Sequence, residues 1–188
     1  MTDDDLYDNA AESWYGDYFR EENRYGGEPV PEMRILTVRQ PWAWAIIHGG
    51  KDVENRVRNL AGDYRGPVAI HAGLAPFNDD AFAESAPLYR TLMRAGRRYR
   101  DGALDDLRTS RAIIGVVDLV DVHFGPFAER WDVEAERNAR CSEWAEPDAF
   151  HLVLANPRPL KKPIPFKGAL GLRRLDADTI ARIMEALA

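Results

Sequence analysis

Leu36-Thr37-Val38-Arg39-Gln40-Pro41-Trp42-Ala43, continued by Gly50-Lys51-Asp52-Val53-Glu54-Asn55-Arg56, is the stretch on which the fold turns. β-branched and apolar residues over 34–39 suit a short strand. Residues 40–50 then read as one short helix. Pro41 falls in its first turn, where the missing N–H has no partner to lose. Gly49 and Gly50 supply a left-handed C-terminal cap. A second strand is expected over 52–57.

Downstream, Gly62-Asp63-Tyr64-Arg65-Gly66-Pro67 reads as a turn into a buried strand, Val68-Ala69-Ile70-His71-Ala72. Residues 79–95 carry Phe82, Leu88, Leu92 and Met93 at helical spacing, with Pro87 expected to kink or split the helix. The charged stretch 94–108 reads as an exposed insertion. The clearest strand is 111–124, where Gly115 permits a bend or bulge. Residues 129–145 are polar, helix or loop. A strand over 150–154, an extended proline-punctuated segment over 157–165 and a short strand over 168–172 follow. Asp176 then caps a helix over 177–187, with Ile180, Ile183, Met184 and Leu187 on one face. Short strands interspersed with helices, without βαβ alternation, predict an α+β fold built on a small mixed-sheet barrel.

Upstream the composition changes. The chain of 188 residues carries a net charge of −6, but residues 1–28 hold nine acids against two bases, or −7, which leaves +1 for the rest. The acidity therefore belongs to an appendage, and a near-neutral body with local basic clusters stays compatible with a nucleic-acid partner. Residues 1–32 read as an acidic, aromatic-containing extension and linker ending in Gly and Pro. A disordered tail is the first expectation for it; a short helix over 10–24 docking on the body or on a partner protein is the second. Residues 33–174 form the domain, and 175–188 a helix packed on it. No apolar run approaches membrane-spanning length. The acidic opening resembles neither a secretory signal nor a transit peptide, and a lone cysteine, Cys141, fits a reducing compartment. A cytoplasmic protein is the expectation.

Four segments in order resemble the ASCH domain family of the PUA-like superfamily. They are 36–43, 50–56, Tyr64-Arg65-Gly66-Pro67-Val68-Ala69-Ile70-His71-Ala72 and Ala112-Ile113-Ile114-Gly115-Val116-Val117-Asp118-Leu119, with Pro163-Ile164-Pro165-Phe166-Lys167-Gly168-Ala169-Leu170-Gly171-Leu172 matching the family's ending. The resemblance implies a PUA-like barrel with a cleft on one side. It also implies a partner that is RNA, DNA or a modified nucleoside. Fold likeness does not choose among these.

Within that frame, Gln40, Trp42, Lys51, Glu54, Arg56, Tyr64, Arg65 and Lys167 are the candidate binding residues. Trp42 and Trp44 point in different directions from a short helix, one toward the core and one toward the cleft, where an indole can stack on a base. The Gln40 amide can read a base edge or cap backbone groups. Glu54 and Arg56 share a strand face, with Lys51 at its entrance. There the cations can hold a phosphate while the carboxylate accepts a base N–H or moves protons. A salt-bridge network is the alternative. Tyr64 and Arg65 suit stacking or phosphate contact, or an ordinary surface turn. Lys167, with Lys161 and Lys162, can track a backbone or simply be solvated.

Some proteins of this resemblance are amidohydrolases of N4-acylated cytidine, with a Lys followed three residues later by a Thr nucleophile and a Glu from a later strand. Lys51 matches the Lys, but Glu54 stands at the Thr position, and Asp118 and Asp121 stand where a Glu is wanted. Acyl transfer to a hydroxyl is thereby in doubt. Water-mediated hydrolysis by Lys51 and Glu54, or RNA cleavage in the same cleft, is the enzymatic alternative. His71 reads as a hydrogen-bonded core histidine. The four histidines and Cys141 show no metal-ligand spacing, Cys141 has no signature of an activated thiol, and neither metal nor cofactor is expected.

Overall fold

The computed structural model describes residues 32–74, 87–91, 93, 105–125 and 141–187. The expectations for the acidic extension up to residue 31, for most of the 79–95 pattern, for 94–104 and for 126–140 lie outside these residues. The described elements are β1 (Arg34–Val38), α1 (Trp42–His48), β2 (Val53–Arg56), β3 (Gly66–Ala72), α2 (Asp105–Arg108), β4 (Ala112–Gly125), β5 (Ala149–Pro165), β6 (Leu172–Arg174) and α3 (Ala177–Leu187). Residues 87–91 are also helical.

One six-stranded mixed sheet runs β2-β5-β4-β3-β1-β6. β1 and β3 are parallel, with Leu36 beside Ile70, and α1 with β2 supplies the crossover such a pair requires. All other pairings are antiparallel. The α+β class stands, but the sheet is open and not the closed barrel expected. β2 pairs with β5 and β6 with β1, so the edge strands face outward. Helices cover the two faces instead. Successive strand residues point to opposite faces, so Leu36 and Val38 join Ile46 and Ile47 of α1 in one core. Met33 and Ile35 join Ile180 and Ile183 of α3 in the other. β3 lies between both cores and is buried at every position, as a strand covered on two faces must be.

Other sequence expectations shift in informative ways. Gly115 does mark a register break in β4; a Cβ there would stand 2.5 Å from Ile47 Cδ1 and 2.8 Å from the Arg158 carbonyl. The segments 150–154 and 157–165 are one continuous strand. β2 pairs only with residues 150–153 of β5, so among the described residues the prolines beyond stand on an unpaired edge, where a missing N–H breaks no ladder. The last strand is 172–174 and not 168–172. Asp176 caps α3 as expected, accepting from Thr179 N at 2.8 Å. No helix of the described residues is long and apolar enough to cross a membrane.

Candidate functional site

The site begins with the way α1 ends. Gly50 takes φ +71°, whereas Gly49 stays at −106°, so a single glycine provides the left-handed residue. The Ala45 carbonyl accepts from both Gly49 N and Lys51 N at 2.9 Å. The chain therefore folds back over the helix end, and Lys51 enters the protein with 3% of its surface exposed. Its ammonium donates to the Val53 carbonyl and lies 3.4 Å from Glu54 Oε2. Arg56 Nη2 meets Glu54 Oε1 at 3.0 Å from the other side and also donates to the Thr37 carbonyl at 3.0 Å. The strand period that puts Glu54 and Arg56 on one face thus completes a line, Lys51–Glu54–Arg56, with one cation in excess.

Two indoles wall this line. Lys51 Nζ is 5.7 Å from the ring centroids of both Trp42 and Trp144, within cation–π range. The rings meet edge to face at 6.5 Å. Trp44 is wholly buried and Trp42 half-buried, which decides which tryptophan of α1 packs in the core. Sequence reasoning missed Trp144. It is carried by the segment before β5, which the other face of β2 clamps. Asn55 donates to the Trp144 carbonyl at 2.8 Å and accepts from Glu146 N at 3.1 Å, and Ser142 Oγ bonds Asp52. The only signal in the sequence was an aromatic in a polar stretch. An apolar recess bounded by Ile46, Val117, Leu154 and Pro157 adjoins Lys51.

The remaining candidates are placed differently. Gln40 is buried, its amide engaged with backbone: Nε2 donates to the Thr109 carbonyl at 2.9 Å and Oε1 accepts from Trp44 N at 3.1 Å. Tyr64 donates to the Pro67 carbonyl at 2.7 Å, and Arg34 lies 4.1 Å above its ring. Arg65 binds the carbonyls of Gly62 and Tyr64 and sits 3.6 Å from Asp121. Lys167 is exposed on the β5–β6 connection. Asp118 is buried against Arg158 and Asn156. Asp121 is exposed, and its hydrogen bond with His123 holds its carboxyl below the usual range. His71 is buried, its Nε2 3.0 Å from the Phe166 carbonyl. Burial pushes its pKa down against the opposing pull of that carbonyl.

The sequence spacing that gave no metal motif is closed by the fold. His123 and His151 are cross-strand partners of β4 and β5, and Cys141 joins them, so that one ligand atom from each lies within 4.8 Å of the others. Partial burial, then the Asp52 and Asp121 charges, push the Cys141 thiol up.

An open mixed sheet with helices on both faces, and a charged line at its β2 edge, defines a small α+β domain of the PUA-like kind. The chain belongs to the ASCH domain family, whose model matches residues 36–164. Among solved structures it is similar to the ASCH protein of Zymomonas mobilis, 15% identical with a TM-score of 0.46, over 83% of this chain and 96% of that one. A point mutant of the same protein gives 15% identity and a TM-score of 0.47, over 84% of this chain and 100% of that one.

Proposed function

We propose that the domain binds nucleic acid, RNA before single-stranded or flipped DNA, at the Lys51–Glu54–Arg56 line. The observation that carries this reading is a carboxylate held between two cations and walled by two tryptophans. Stability alone explains such a line poorly, because burying charge costs roughly what the pairing returns. Recognition of a nucleotide uses each part. Arg56, with 28% of its side chain exposed, reaches a phosphate; Glu54 accepts a base N–H; the half-buried Trp42 offers a stacking face.

Fluorescence anisotropy with a labelled single-stranded RNA, and with DNA of the same sequence, tests it. Arg56→Ala is expected to weaken binding about tenfold and to lower the slope against log salt by about one. Trp42→Ala is expected to remove about 1–3 kcal/mol, the contribution of one stacked base. Unchanged titrations for both variants would sink the proposal.

One observation favours hydrolysis of a modified nucleoside as a second reading: Lys51 and Glu54 form a desolvated pair at 3.4 Å, a base beside an electrostatic stabiliser. Among the described residues, the polar and aromatic groups paired with Lys51 include no hydroxyl, so water would be the nucleophile. Cytidine released from N4-acetylcytidine by the wild type and not by Glu54→Gln would establish it. No product in a sensitive chromatographic assay would leave binding alone.

A further inference from the structure

His123, Cys141 and His151 form a cluster that neither the charged line nor the cores require. Both histidines carry an orienting partner. His151 donates Nε2–H to the Glu146 carbonyl at 2.7 Å, which leaves Nδ1 as the bare nitrogen, 3.3 Å from Cys141 Sγ. His123 Nδ1 bonds Asp121 Oδ2 at 2.8 Å, which leaves Nε2 bare. These are the outer contacts, a carboxylate on one imidazole and a backbone carbonyl on another, that fix tautomer and ring direction in metal-ligating histidines. Gly125 makes room for the arrangement: a Cβ there would lie 2.1 Å from His151 Cε1.

We infer that His123, Cys141 and His151 bind a zinc-class divalent cation, with the fourth tetrahedral position left to water or another ligand. A thiolate and two imidazoles are the donor set that such an ion takes. In a tetrahedral zinc site, sulfur and nitrogen ligands stand about 3.5 Å apart, close to the Cys141–His151 separation of 3.3 Å. A divalent cation at this site takes the sulfur as thiolate, releasing the thiol proton to solvent. Bound there, it would tie the segment that carries Trp144 to the β4–β5 pair.

The test is a metal titration of the full-length chain, with no nucleic acid present, so that it stands or falls apart from the RNA reading. One equivalent of Co2+ should give the visible bands of a tetrahedral ion and a thiolate-to-cobalt charge-transfer band, both erased by Zn2+. Cys141→Ser, at an exposed position, should lose the charge-transfer band while keeping the wild-type circular dichroism. Asp121→Asn, which removes the carboxylate that orients His123, should keep the band and weaken affinity about 10–100-fold. Zn2+ should raise the melting temperature of the wild type and not that of Cys141→Ser. The absence of a cobalt charge-transfer band from the folded wild type would overturn the site, as would equal zinc affinity in the wild type and Cys141→Ser.

Discussion

Glu54 and Asp118 are the carboxylates buried among the described residues, and each meets an arginine, yet they are built differently. Asp118 stands on β4, where Oδ1 takes Arg158 Nη2 at 2.5 Å and Oδ2 takes Asn156 Nδ2 at 2.9 Å. One cation matches its charge, and a neutral amide takes the other oxygen. Asn156 lies at φ +49°, where β5 shifts register against β4, so the Asp118 cluster staples a bend. Glu54 instead stands between Lys51 and Arg56, which leaves one positive charge over beside two indoles. A fold needs one arginine to bury a carboxylate. Fixed, partly desolvated charge beyond that is what an anionic ligand can use.

The largest expected effect tests the structural side of this contrast. Asp118→Ala removes a buried acceptor that takes Arg158 and Asn156 and should cost about 2–3 kcal/mol in urea unfolding, the worth of hydrogen bonds to a charged group. Under conditions where the variant is folded, its RNA affinity should equal that of the wild type. Lost affinity in a fully folded Asp118→Ala protein would break the comparison, because both carboxylates would then serve the ligand.

Arg56→Ala should reverse the ranking. Its side chain is partly exposed, and Glu54 keeps Lys51, so unfolding should shift by no more than about 1 kcal/mol. The tenfold loss expected in RNA binding would then exceed the loss in stability. Arg56→Lys keeps the charge but not the planar fork, so it should restore the salt slope while recovering only part of the affinity. Full recovery by Lys would mean that Arg56 acts as a point charge alone.

What could be read in the sequence follows the range of the interactions involved. The path from β1 through α1 to β2 was legible because its signals are local: a proline at a helix start, a glycine at its end, and an alternation that sets Glu54 and Arg56 on one face. The open sheet was not legible, since closure depends on whether β2 and β6 meet, and they lie at opposite edges. The unbroken β5 was missed because its prolines are harmless only where β2 has stopped pairing. Trp144 and the His123–Cys141–His151 cluster depend on Asn55 reaching a carbonyl 89 residues away and on the β4–β5 register. Of the candidate residues, Lys51, Glu54, Arg56 and Trp42 converge, whereas the Gln40 amide is engaged with backbone groups, Arg65 pairs with Asp121, and Lys167 stands exposed.

His71 sharpens the comparison, as a buried polar group that answers to pH with a smaller effect. Among the described residues its Nδ1 has no hydrogen-bond partner, and burial lowers its pKa, so the native state holds it neutral. Below about pH 6.5, the ordinary histidine value, the unfolded chain takes up a proton that the native state refuses. The unfolded state then binds more protons, so stability falls as pH falls through that window. The loss levels off once the native ring is also protonated. Urea midpoints measured from about pH 7.5 down to 5 should therefore decline in the wild type and decline less in His71→Gln. Asp121 and Asp176, whose carboxyls are held low by His123 and by Thr179, act in a separate window below about pH 4, where their stabilisation is lost as they protonate. An equal decline in the wild type and His71→Gln would remove His71 as the source of the pH dependence.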